Sequence, residues 1–147
     1  NLVQRVFSQI KNNFDKLDEM SDQTKEDEDL LNDFENSFKV IGDMIEKVEL
    51  KSSLQEAMKY VSKVNSYLNE TEPWKVIKED EKRASRILYT SLTAIDACAN
   101  LLYPYMPTTS ELVRDAIPKD TDKLWGVNKI KTGVKLNEIG LLFKKFD

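Results

Sequence analysis

The residue best suited to chemistry in this sequence is Trp74. It follows Glu72 and Pro73, a turn that sets a large planar ring between two helical stretches. Proline drives the residue before it out of the helical region and is itself welcome in the first turn of a new helix. The other chemistry is limited by one absence, since the 147-residue chain has no histidine. Ser-His-Asp and Cys-His catalysis are therefore excluded. So are the H-E-x-x-H zinc site and the Glu-x-x-His di-iron site of helix bundles. Cys98 is the only cysteine, which rules out an intrachain disulfide and argues against a structural zinc. A reducing, cytoplasmic setting is expected. Among Ala94, Ile95, Ala97, Ala99 and Leu101, Cys98 is expected to be a core side chain. The glycines of the C-terminal stretch, Gly126, Gly133 and Gly140, are far apart and mark turns, not a phosphate cradle.

Charge is unevenly spread around a net of −4. Asp15 to Glu35 holds ten acidic residues and two lysines, while Lys119 to Asp147 holds seven lysines against four acids. Pro73 to Tyr89, the stretch that begins beside Trp74, carries five basic and three acidic residues. A locally basic surface leaves room for a nucleic acid that the average charge would repel.

The elements that must position Trp74 follow from apolar spacing. With 40% hydrophobic residues, 4 Gly and 4 Pro, the composition favours an all-α domain. Leu2, Val3, Val6, Phe7, Ile10, Phe14 and Leu17 recur at helical spacing and give a first helix that is expected to begin upstream of Asn1. At about 100° per residue, Asn1, Arg5, Ser8 and Asn12 share one stripe, opposite Val3, Val6, Ile10, Phe14 and Leu17. Taken alone, that stripe is a solvated face. Asp18–Asp29 reads as a solvated acidic loop leading into a helix start. Leu30, Leu31, Phe34, Phe38, Ile41, Ile45 and Val48 give a second helix. Ser52 or Ser53 is expected to cap a third, with Glu56 at capping-box distance from Ser53 and an apolar face of Leu54, Ala57, Met58, Val61, Val64 and Leu68.

Pro73 ends that third helix. A long helix from about Glu79 to Leu102 follows, with Ala84, Leu88, Leu92, Ile95, Ala99 and Leu102 inward. Tyr103-Pro104 and Met106-Pro107 break it. Thr108 or Thr109 is expected to cap a short helix that Pro118 stops. Short loops between long helices make antiparallel neighbours, so the expected architecture is an up-and-down antiparallel helix bundle over 1–117. An extended tail, 118–147, is docked by Trp125, Leu136, Leu141, Leu142 and Phe143, with Trp125 assigned to the core. The whole forms one domain. No apolar run approaches the ~18 residues of a membrane span, and no membrane partner is expected.

Three segments carry a family resemblance. Asn1-Leu2-Val3-Gln4-Arg5 is similar to an N-x-x-x-R on a first bundle helix. Glu72-Pro73-Trp74-Lys75-Val76-Ile77-Lys78 is similar to a Pro-Trp turn followed by a short helix. Leu102-Tyr103-Pro104-Tyr105-Met106-Pro107 is similar to the L-x-P-x-M-P that ends the long helix. In this order, across nearly the whole chain, they resemble the anticodon-binding domain of class I aminoacyl-tRNA synthetases, and most closely that of the methionyl enzymes. The chain departs from the family in its acidic Asp18–Asp29 stretch, which lacks Gly and Pro, and in its lysine-rich tail.

The resemblance implies recognition of the CAU anticodon of a methionine tRNA by Asn1, Arg5 and Trp74, with Pro73 supporting the turn. The residue types suit that work. RNA loops are read by stacking splayed bases on aromatic planes and by hydrogen bonds to base edges. An asparagine amide and an arginine fork supply such bonds. Asn1 and Arg5, one helical turn apart, would face the same ligand. With helix one rising toward the Trp74 end, Asn1 is expected well below that ring. The resemblance also implies a catalytic domain elsewhere in the same polypeptide, using ATP with Mg²⁺ to join methionine to tRNA. The HIGH and KMSKS signatures of that chemistry are missing, so no catalytic residue, cofactor or metal is expected here. A sister synthetase for another apolar amino acid is the nearest alternative. A helical protein-interaction domain, which a contiguous exposed apolar patch would favour, is the more distant one.

Overall fold

A computed structural model describes residues 2–14, 17 and 19–136 of the chain. Its elements are α1 (Leu2–Asn13), α2 (Lys25–Glu46), α3 (Leu50–Thr71), the single turn α4 (Pro73–Val76), α5 (Glu81–Leu102) and α6 (Pro107–Ala116). Among the described residues there is no strand, only an isolated antiparallel bridge between Lys119 and Ile130. The all-α expectation therefore holds. No helix among them is long and apolar enough to cross a membrane.

Helix α5 is the hub, because α1, α2, α3, α4 and α6 all pack against it. From Ile87 to Leu101 its only incompletely buried residue is Tyr89. A helix covered on every side must satisfy its polar groups internally. Ser91 and Thr93 accordingly donate to the carbonyls of Ile87 and Tyr89, at 2.8 and 3.0 Å. Helix α1 lies antiparallel to α5. Leu2 and Val3 line a cavity with Leu102 and Met106, while past its other end Ser21 N–H donates to Lys82 O at 3.0 Å.

The acidic loop is not wholly solvated. Thr24 caps α2 in a capping box with Asp27, and Asp27 is fully buried. Its carboxylate accepts from Arg83 Nη1 and Nη2 at 2.7 and 3.0 Å and from the Tyr67 hydroxyl at 2.5 Å. One carboxylate thus ties α2, α3 and α5 together. Burial on its own would raise its pKa. The bonds from Arg83, Tyr67 and the Thr24 N–H outweigh burial and hold the group below the ordinary aspartate range. The Tyr67 phenol is pushed up, first by burial and then by the Asp27 carboxylate.

Ser52 and Ser53 do not cap α3. The chain reverses at Val48, which adopts a left-handed φ of 60°, so the helix begins at Leu50 with Glu49 at its N-cap. Ser53 lies inside the first turn, buried, donating to Leu50 O at 2.8 Å and bonded to the Tyr105 hydroxyl. The inward face of α3 is also turned from the expected one. Ser53, Ala57, Tyr60, Val64, Tyr67 and Leu68 are buried, while Met58 is 44% exposed. Two tyrosines replace aliphatic bulk there. Tyr60 packs on Phe34 with ring centroids 5.4 Å apart, and Tyr67 meets Asp27. Thr108 and Thr109 likewise do not cap α6, because Pro107 already occupies its first turn behind Met106.

The tail is organised by polar residues of α5. Buried Asp96 pairs with Lys119 at 3.0 Å and accepts from Asn128 at 3.1 Å. Buried Asn100 donates to the carbonyls of Lys123 and Gly126, at 3.1 and 2.9 Å. Trp125 docks without entering the core. It is 37% exposed, its N–H donates to Phe38 O at 2.9 Å, and its ring meets Phe38 edge-on at 5.0 Å. Gly42 makes room for it, since a Cβ there would stand 3.3 Å from the indole nitrogen. Leu136 packs partly buried against the core, whereas Leu141, Leu142 and Phe143 lie outside the described residues.

Candidate functional site

Trp74 is placed by the end of α3. Glu72 takes a left-handed conformation, φ 47° and ψ 61°, and its N–H closes the helix on Leu68 O at 2.9 Å. The next residue, Pro73, cannot continue α3 and opens α4 instead. Pro73 is buried, Trp74 half-buried, and α4 rests on α5. The turn therefore holds Trp74 on a rigid support with part of its ring at the surface.

Arg5 reaches this ring. It projects from the exposed stripe of α1, where Ser8 and Asn12 are also exposed. Its guanidinium carbon lies 5.5 Å from the Trp74 ring centroid. Asn1, one turn earlier, lies outside the described residues, so its expected place below Trp74 has no structural counterpart. A further residue joins the corner. Asn69 Oδ1, on α3, lies 3.5 Å from Arg5 Nη2. Asn69 went unnoticed in the sequence, although an asparagine one turn after Asn65 on an exposed helix face is a local signal, given how poorly asparagine suits helix interiors.

The basic stretch beyond Trp74 divides in two. Arg83 is engaged by Asp27, which holds the guanidinium's pKa above its ordinary value. Arg86 donates to Ser21 O at 2.6 Å and lies over Tyr89. These two belong to the scaffold. Lys75, Lys78 and Lys82 are exposed. Lys75 pairs with Glu72 at 2.7 Å and Lys82 with Glu19 at 3.9 Å, both in water-accessible positions where such pairs exchange readily. The corner therefore combines an indole, a guanidinium, an amide and mobile positive charge. It can bind planar rings and anions. The one thiol, Cys98, is buried, and burial pushes its pKa up.

A cavity of about 520 Å³ lies elsewhere, among Leu2, Val3, Val61, Ile95, Leu102 and Met106. Its walls are mainly apolar, with Gln4, Asn65, Thr109 and Ser110 among them, and neither Arg5 nor Trp74 lines it. The candidate site is the surface corner.

A family model described as the anticodon binding domain of methionyl tRNA ligase matches residues 17–147. That span includes Pro73 and Trp74 but not Arg5. The chain is similar to methionine–tRNA ligase of Chloroflexus aurantiacus, with 33% identity over 120 residues, 82% of this chain and 20% of the relative. It is similar to that of Pyrococcus abyssi, with 30% identity over 146 residues, 99% of this chain and 20% of the relative. The chain thus spans about a fifth of the length of these relatives. In fold it is similar to the apo form of Mycobacterium tuberculosis methionyl-tRNA synthetase, with a TM-score of 0.83 at 19% identity, covering 94% of this chain and 29% of that one.

Proposed function

Because this chain belongs to the family of anticodon-binding domains of methionyl-tRNA ligases, we propose that its Arg5–Trp74 corner binds the CAU anticodon loop of a methionine tRNA. In this reading residues 1–147 form one domain, a bundle to residue 117 with a docked tail, within a longer cytoplasmic enzyme. That enzyme attaches methionine to tRNA with ATP and Mg²⁺, which a catalytic domain outside this chain handles. Asn1 belongs to the same site, one turn before Arg5.

The observation that carries the reading is the meeting of Arg5 and Trp74 at an exposed corner, 5.5 Å apart, from elements 69 residues distant in sequence. A planar ring, a planar cation and a neighbouring amide are the groups that read unstacked bases. Lys75, exposed next to Trp74 on α4, suits the phosphates, which supply most of the affinity for RNA and make it salt-dependent. The large exposed apolar side chains belong to α2, the α2–α3 turn, α3, the α5–α6 junction (Tyr103 and Met106) and the tail.

The test uses the full-length enzyme with transcripts carrying CAU or altered anticodons. Arg5→Ala and Trp74→Ala each lower the preference for CAU by about tenfold or more, the size of a lost stacking contact. Both leave methionine activation unchanged. If both variants keep the full preference for CAU, the site lies elsewhere.

A further inference from the structure

We infer that α1 continues upstream of Asn1, and that the turn before it seats an apolar side chain in the cavity beside Leu2 and Val3. The seated residue is the second before Asn1. This rests on the reading above that the chain is part of a longer polypeptide, and not on the anticodon reading. The inward stripe of α1 loses its cover at this end. Val6, Phe7 and Ile10 are at most 2% exposed, whereas Leu2 and Val3, on the same stripe, are only partly buried. The space beside them is the cavity of about 520 Å³, whose other walls include Val61, Leu102, Met106 and Val113. Protein interiors pack at the density of organic crystals and leave few voids larger than a water molecule. An apolar space this large, beside a half-covered helix stripe, is a seat for another element.

No charged residue lines the cavity, so a neutral, apolar occupant fits it and a charged one would be buried without a partner. The course of the chain selects which occupant. Leu2, where α1 begins, is itself one of the walls, so the residues before it enter beside the cavity. A helix start leaves its first N–H groups without intrahelical acceptors, and a preceding helical turn supplies them. Carried back, the helical period puts the second residue before Asn1 on the same stripe, three before Leu2, four before Val3 and seven before Val6. The C-terminal tail is the rival occupant, but its described part arrives at the other end of α1. There Gly133 N–H donates to Leu17 O at 2.9 Å. Leu2 and Asn13 are separated by about 17 Å of helix at 1.5 Å per residue.

Cys98 reports on the seat, because it lines the cavity and is 6% exposed. The test follows its alkylation by N-ethylmaleimide in the full-length enzyme, read by mass spectrometry of the peptide that contains it. In the unaltered enzyme Cys98 is protected. Alanine at the second position before Asn1 speeds its alkylation about tenfold or more, because the covering side chain is gone while the fold remains. Another aliphatic residue of full size at that position restores protection. Methionine activation is unchanged throughout, which shows that the enzyme stays folded. Ala99→Leu enlarges one wall of the cavity. It lowers the melting temperature of the unaltered enzyme and raises that of the alanine variant, since one side chain then takes the space the other gave up.

A charged or polar residue at the second position before Asn1 in the full-length sequence overturns the inference at once. So does rapid alkylation of Cys98 in the unaltered enzyme, which would leave the cavity open, or an alanine variant that reacts no faster. Protection lost through Leu141→Ala or Phe143→Ala instead would make the C-terminal tail the occupant. Protection that disappears on dilution would make it a second copy of the chain. The CAU preference of the same unaltered enzyme is measured alongside. If that preference is missing, the anticodon reading falls and this inference stands; if Cys98 is unprotected, the inference falls and the anticodon reading stands.

Discussion

Arg83 and Arg5 are each met by an oxygen acceptor, with an aromatic side chain close by. The two clusters share α3, which sends Tyr67 into one and Asn69 into the other. Around Arg83 the acceptor is the buried carboxylate of Asp27, bound by the two terminal guanidinium nitrogens and also by the Tyr67 hydroxyl. Around Arg5 the acceptor is a neutral amide at 3.5 Å, and the cation lies over an indole at the surface. The first arrangement spends its charge inside the protein and fastens three helices. The second keeps its charge unspent and turns it outward. The same residue type is scaffold in one place and an exposed cation in the other, and the partner's charge and burial decide which.

The contrast breaks first at Asp27. Asp27→Ala strands Arg83 and removes a capping box, and should cost about 3–5 kcal/mol in urea unfolding of the chain. A cost under about 1 kcal/mol would show that the buried cluster is not structural. Tyr67→Phe removes one bond to a charged acceptor and should cost about 1–3 kcal/mol.

The pH dependence sharpens the same point. Asp27 has a folded pKa below its unfolded one, so its contribution is fully present above the ordinary aspartate value of about 3.9 and is lost as pH falls through the lower folded pKa. The stability advantage of the unaltered chain over Asp27→Asn should therefore shrink below about pH 4 and stay flat from pH 5 to 8. The smallest effects belong to the exposed corner. Arg5→Ala and Asn69→Ala should each change stability by less than about 0.5 kcal/mol by the same measurement, whatever they do to RNA binding.

Much of this was legible in the sequence. Apolar spacing placed the long helices within a few residues, although α5 is covered on every side and α3 turns a different face inward. Pro73 and the Tyr103–Pro107 run placed the breaks. Three things escaped. Asp27 looked like one more acid in a solvated loop, since its partners Tyr67 and Arg83 are 40 and 56 residues away. The α3 start was set by the reversal at Val48, a β-branched residue in a conformation that costs it about 1–2 kcal/mol and that no local preference favours. The tail has no apolar period because polar contacts to Asp96 and Asn100 on α5 hold it. At the site, Trp74 was visible by type, whereas the stripe holding Arg5 read as a solvated face until the family resemblance singled it out. Their contact was not visible, because it joins residues 69 positions apart in sequence.

The left-handed Glu72 carries a further consequence. It is a non-glycine residue at positive φ, followed by a proline with its own fixed φ, so the link between α3 and α4 has very little torsional freedom. Glu72→Gly would relieve that strain and cost the fold little. It would also turn a stiff coupling into a swivel, and Trp74 would wander relative to Asn69. The domain would then stay folded and still lose affinity, with the loss appearing as an unfavourable binding entropy in calorimetry. One backbone torsion thus sets the direction in which the Trp74 ring leaves α3.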